Sequence, residues 1–450
     1  MIGSARLLTA LSRLVKRTRA DGVSLCAYAK RRQVFRFAYG AIHQGLVQDG
    51  VSVTAQVLVD GRAGIASTDT LEPASLARCV RAAAEIAAHA PRQDDRPALP
   101  RGHRLATRRD YHAATARLSA KACVSSLQRL FRLCQGAGAE LAGSLAAGAD
   151  EVCVVNSAGV ACYTASTIAG AKLVTMCRGL SGYASSASRD VSQLELSALL
   201  KQSLQQSLQR HDPTPMPLGT YEVILEPEAV AELVMWLGYT AFGAKSVEER
   251  TSCLAGRMGE QLVSPQITIA DDGDDPMGLR MPFDFEGTPK QRVVLIDRGR
   301  AAGIVYDTTY GKRFGHPSTG HAMPPGDVEG PIPLHLVMAP GRTSRAEMIR
   351  ACRRGLLIPR FHYVNGLLNP REALMTGLTR EGCFLIERGR ITRPVRTLRF
   401  TQSLLEALRH VRGISRERRL VAEPAQELGC AVMPALHLER FAFTGRSEAA

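Results

Sequence analysis

The chain opens on a helical pattern. Across residues 4–20 (SARLLTALSRLVKRTRA), leucine and valine recur every three or four positions with basic residues between them, which predicts an amphipathic helix. The period then falls to two, predicting strands over 23–29, 33–38, 45–47 and 52–60, with Asp60-Gly61 as a turn before 64–67. Glu72-Pro73 opens a second helix through LARCVRAAAEIAAHA, whose leucine, alanine and isoleucine share one face. The stretch 91–109, rich in proline and arginine, reads as a linker. Beyond it a helix is predicted over 113–136. A hairpin follows, with strands at 139–147 and 151–155, a turn at 156–159 and a long strand through 175. Another helix is predicted over 191–210, and HDPTPMP then reads as a rigid spacer.

From 221 onward short alternating runs dominate, predicting strands at 221–225, 266–270, 292–297, 303–306, 335–338, 355–364, 383–387, 391–399 and 431–443. The expected fold class is α+β: an N-terminal α/β domain (1–110), a central helix-hairpin-helix region (111–212), and a C-terminal β-rich domain (213–450). That last domain is expected to be a large, mainly antiparallel twisted sheet with flanking helices.

Composition narrows the function classes. With 450 residues and 45% apolar content the chain can bury a large core. The net charge of +15 raises the question of nucleic acid, but the arginines that supply most of it are scattered and aromatics make up only 5%. None of those aromatics alternates with the short basic clusters as a base-stacking platform would, which argues against a nucleic-acid partner. No apolar run reaches the ~18–20 residues that span a bilayer, and the first helix is interrupted by Arg6, Arg13 and Lys16, unlike a signal peptide. The expected setting is cytoplasmic. The 11 cysteines include no C-x-x-C pair, which favours buried free thiols over a zinc ribbon or disulfide framework.

Three segments carry candidate chemistry. LEPEAVAELVMWLGYT (225–240) reads as a helix with Pro227 at its first position, Glu228 near the positive end of the dipole, and Val230, Leu233, Val234 and Leu237 facing a core. Glu228 and Glu232 lie one turn apart, yet the helix has no histidine, and zinc helices need imidazoles one turn apart. The loop RFGHPSTGHAMPPG holds His316, Ser318, Thr319 and His321. Its hydroxyls and backbone N–H groups suit a carboxylate or peptide contact, or else a tight turn whose histidines satisfy backbone carbonyls. ADDGDDPMG lacks the spacing of a calcium loop, so Asp271–Asp275 reads as a solvated turn. No nucleophile elbow, phosphate loop or dinucleotide fingerprint is found.

Several blocks, in order, resemble the TldD/PmbA metallopeptidase family: SGYASSASRDVSQLE, LEPEAVAELVMWLGYTAFGAKSVEERTS, PSTGHAMP, the long run from Arg360 to Leu408, and the closing VMPALHLERFAFTG. The resemblance covers nearly the whole chain and implies assembly of two related subunits around an enclosed chamber. In that family the TldD-type subunit holds zinc with a His-Glu-x-x-x-His helix and a downstream cysteine, and the PmbA (TldE) type lacks those ligands. Here Pro227 and Glu232 stand at the two histidine positions around the retained Glu228. Cys430 lies too close to the terminal strand to be the third ligand.

The resemblance therefore implies the TldE type: no catalytic residues and no cofactor in this chain, with zinc in the partner subunit. The implied partners are a TldD-type zinc-bearing subunit (heterodimer) or a second copy (homodimer), and unfolded peptide as substrate for degradation or leader removal. The alternative it leaves open is a stand-alone or paired protein recruited to natural-product biosynthesis, acting on a small peptide-like conjugate.

Overall fold

The computed structural model describes residues 1–92, 98–102, 110–209, 212–423 and 429–446. Most of the expected linker at 91–109 lies outside the described residues. The chain folds as two sheets with helices packed on them, an α+β architecture.

The first sheet has six strands: β1 (Gly22–Ala38), β2 (Ala41–Val59), β3 (Arg62–Thr68), β4 (Glu140–Asn156), β5 (Ala161–Cys177) and β6 (Leu180–Ser188). Their order is β3-β2-β1-β4-β5-β6, with every pair antiparallel. This modifies the expected division at 110. β1 pairs with β4 from Ser24↔Asn156 to Phe37↔Gly143, so the first two regions share one continuous sheet. The runs expected as separate strands at 23–29 and 33–38 are a single long β1, because the polar Lys30–Arg32 segment continues the ladder at the sheet's middle. Arg32 is buried there and forms an ion pair with Asp150.

Helix Ser4–Arg17 buries Leu7, Leu11 and Val15 against this sheet, one residue per turn. The free N–H groups at its start are met by Glu151: Ile2 N and Gly3 N donate to the carboxylate at 2.6 and 2.7 Å. Helix Pro73–His89 packs on β3, so closely that a Cβ on Gly64 would fall 2.0 Å from Ala83 O. The helix expected over 113–136 is split, because Ser119 caps a new helix, Ala120–Gly136, by accepting from Ala122 N at 3.2 Å. β6 had no alternating signal. Its glycine, alanine and serine residues let helix Leu196–Ser207 approach until a Cβ on Gly182 would meet Ser203 O at 2.0 Å.

The second sheet contains thirteen strands among the described residues, starting with β7 (Gly219–Leu225). Its spine is the terminal strand Cys430–Arg446, which pairs with β7 antiparallel and with His335–Met338 in parallel. β7 in turn runs parallel to Arg354–Ile358. The sheet is otherwise antiparallel. Helix Pro227–Ala241 follows β7 directly and lies on one face of this sheet, where Val230, Leu233, Val234 and Leu237 are each no more than 2% exposed. All eleven cysteines are free thiols, and ten are buried. No described helix is long and apolar enough to cross a membrane.

Candidate functional site

Helix Pro227–Ala241, called the central helix below, begins where the two sheets meet. Pro227 occupies its first turn, where the missing N–H costs nothing, and its ring is buried with no donor to offer. Glu228 projects from the same turn to the junction of two cavities of 530 and 390 Å³, both of which also reach Tyr183. One carboxylate oxygen of Glu228 accepts from Arg419 Nη1 at 2.9 Å and from Ser185 Oγ at 3.1 Å. Glu228 raises the pKa of Arg419 above its ordinary value, more than burial lowers it. Two residues before Glu228, Glu226 pairs with Arg345.

A turn further along the helix, Glu232 lines the smaller cavity with Lys172 and Arg360. Burial pushes the Glu232 carboxyl above its ordinary pKa, against the pull of Lys172 and Arg360 and a hydrogen bond from Trp236. Lys172 is lowered, by burial first and then by Arg360. Lys172 also pairs with Glu423, and Arg360 pairs with Glu381 while its guanidinium lies 4.6 Å from the Tyr183 ring centre. At the mouth of this cavity Tyr363 takes a left-handed backbone (φ 51) and is 80% exposed, at a register slip between His362 and Asn365. A bulky residue held at positive φ beside a cavity is strained, and here the slip turns its ring outward.

These contacts decide whether the helix suits a catalytic metal. Zinc at such a helix needs imidazole nitrogens from both donor positions, with sulfur or a carboxylate completing the set. The positions here offer a proline and two carboxylates, and the carboxylates face the cations Arg419, Lys172 and Arg360. A divalent ion would have to displace or repel these charges, so the residues present do not fit a catalytic zinc. Cys430 is equally remote from that role. It is buried at the start of the terminal strand, where its sulfur accepts from Leu279 N at 3.3 Å.

The other expected site residues are placed elsewhere. Among the described residues, neither cavity is lined by His316, Ser318, Thr319 or His321. Ser318 and Thr319 hydroxyls both donate to Tyr306 O, at 3.2 and 3.1 Å, and the exposed His316 ring stacks on Tyr306. His321 is 2% exposed, with Nε2 bonded to Asp271 at 2.9 Å and Nδ1 within 2.9 Å of Thr319 O. The expected contact loop is thus spent on internal bonds, which follow from its tight turns.

The Asp271–Asp275 segment also departs from the solvated turn expected of it. Asp271 is fully buried and gathers Lys290 Nζ (3.0 Å), His321 and the His335 N–H (2.7 Å). Burial alone would raise its pKa, but Lys290 and His321 outweigh burial and hold it below the ordinary carboxylate range. Asp275 is buried against Arg418 at 3.0 Å.

Sequence reasoning missed Lys172, Ser185, Arg360 and Arg419 as site residues. They come from β5, β6 and two distant strands, and no local spacing announces a meeting that only the tertiary fold creates.

With this geometry in place, comparison with known proteins identifies the scaffold. Residues 218–445 match the PmbA/TldA metallopeptidase C-terminal domain, and 24–87 match domain 1 of the same family. The chain belongs to the TldD/PmbA metallopeptidase family. It is 29% identical over 167 residues to a metalloprotease TldD homologue from Haemophilus influenzae, covering 36% of this chain and 34% of that protein. A metalloprotease from Methanothermobacter thermautotrophicus is 25% identical over 215 residues, covering 46% of this chain and 45% of that one. The chain thus matches less than half the length of these curated relatives. The crystal structure of TldE from Thermococcus kodakarensis superposes with a TM-score of 0.86 at 22% identity, covering 97% of this chain and all of that one. The TldD/PmbA fold therefore runs through both sheets.

Proposed function

We propose that this chain is the TldE-type subunit, without a catalytic zinc of its own, of a two-subunit peptidase of the TldD/PmbA family. It would shape the chamber and hold unfolded peptide while a TldD-type partner carries the zinc. The observation that carries the reading is the loss of both donor positions on the central helix, to Pro227 and to a Glu232 that faces Lys172 and Arg360, with the retained Glu228 tied to Arg419. Without a metal-bound water, Glu228 has nothing to activate as a general base, and its carboxylate is held by Arg419 and Ser185 instead.

The chain's own residues can still bind. The cavities at the helix start combine carboxylates, guanidinium groups, the amides Gln202, Gln205 and Gln206, and apolar walls such as Phe384. Such a surface holds an extended peptide through its backbone and chain ends with little demand on sequence. The test is reconstitution. The chain alone should leave unfolded peptides intact, and adding a TldD-type subunit from the same genome should produce cleavage that a chelator stops. Chelator-sensitive cleavage by the chain alone, lost on substituting Glu228 or Glu232, would overturn the reading.

A further inference from the structure

On the face of the second sheet opposite the central helix, three metal-ligating side chains converge. Val223 and Leu225 of β7 pack into the core beneath that helix, while Ile224 packs the other way, against Met348, Cys352 and Leu357. Strand alternation puts Glu222 on the Ile224 side. The terminal strand sets His437 beside Ile224 in register, and Cys352 ends the short helix Arg345–Ala351 that covers this face. The ligand atoms of Glu222, Cys352 and His437 all lie within 4.8 Å of one another. Cys352 and His437 are no more than 1% exposed.

From this geometry we infer that Glu222, Cys352 and His437 form a site for a zinc-class divalent transition metal, distinct from the helix where the family's metallopeptidases would hold theirs. One thiolate, one imidazole nitrogen and one carboxylate oxygen are the donor types that zinc takes, and a sulfur ligand disfavours magnesium and calcium. Three protein ligands leave a fourth position for water. Glycine at 355 lets Cys352 sit this close to β7: a Cβ there would stand 2.7 Å from Cys352 Sγ and 2.5 Å from the main-chain oxygen of Glu222.

Before metal enters, the same groups hold one another. His437 Nε2 lies 2.6 Å from Glu222 Oε1, and Arg412 Nη1 donates to that oxygen at 3.0 Å. Arg412 is half exposed, so its guanidinium can turn outward as the cation arrives. Metal entry exchanges the Cys352 thiol proton, released to solvent, for the metal–sulfur bond, and the proton that Nε2 shares with Glu222 passes to Nδ1, so that the neutral imidazole offers the Nε2 lone pair to the ion.

The experiment is equilibrium binding of Zn²⁺ and Co²⁺ to the full-length chain with any polyhistidine tag removed. Saturable, stoichiometric binding is expected, and the cobalt form should show a sulfur-to-cobalt charge-transfer band. Cys352→Ser should abolish that band and weaken binding by at least the roughly tenfold that even outer-sphere changes produce, with His437→Gln weakening it similarly. Arg412→Ala should tighten binding by removing the competing cation. A purely structural Glu–His–Arg cluster would give none of these responses. The inference is overturned if wild type shows no charge-transfer band with equimolar cobalt. It is overturned equally if Glu228→Ala or Glu232→Ala, rather than the changes at 352 and 437, removes the metal.

Discussion

Single buried acids shape the C-terminal half, and two of them make measurable predictions. Asp271 is a buried carboxylate neutralised by Lys290 and bonded to His321. Asp271→Asn leaves the ammonium of Lys290 buried without its counter-charge and should cost about 3–5 kcal/mol in urea or guanidinium unfolding. Glu286 behaves in the opposite sense. Burial first, then the neighbouring Asp284 and Asp307, hold its carboxyl well above the ordinary carboxylate range. A raised acid binds its proton more tightly in the folded state, so the contribution of Glu286 to stability is greatest at low pH. It declines as pH rises from the ordinary glutamate value of ~4.3 toward the raised one. Glu286→Gln should flatten that decline between acid and neutral pH while keeping the acceptor for the Thr308 N–H. An unchanged slope in the variant would contradict the assignment. Neither role was visible in the sequence: ADDGDDPMG has the look of a solvated turn, and only the approach of Lys290 and His321 shows why Asp271 is buried.

At the level of elements, legibility followed how local the cause was. The central helix was readable because Pro227, the first-turn glutamate and the 3–4 spacing of Val230, Leu233, Val234 and Leu237 are all local signals. β6 was unreadable because its small residues serve a close approach by a helix that starts later in the chain. The join of β1 to β4 depends on pairing across more than a hundred residues, which no window of sequence contains. The anchoring of the first helix is likewise non-local, since its N-terminal N–H groups meet Glu151 on β4. Glu151→Ala should destabilise the fold by about 1 kcal/mol, the cost of leaving two partly buried donors without their carboxylate. Faster hydrogen exchange in Ser4–Arg17 before global unfolding would locate the loss.

For the whole molecule, the family scaffold was legible from its sequence blocks, and the cavity chemistry was not, because Lys172 reaches Glu232 from the other sheet, and Arg360 and Arg419 come from strands far along the chain. Tyr363 belongs to the same scale: its outward ring would contact peptide at the cavity mouth. Tyr363→Ala should lower kcat/KM of a reconstituted complex by about 1 kcal/mol, roughly fivefold, with no loss of thermal stability. The most direct measurement is peptide cleavage by this chain purified alone and after mixing with a TldD-type zinc subunit. No turnover alone and chelator-sensitive turnover in the mixture is the predicted result. Turnover by the isolated chain that disappears with Glu228→Ala would mean that its own central helix performs the chemistry.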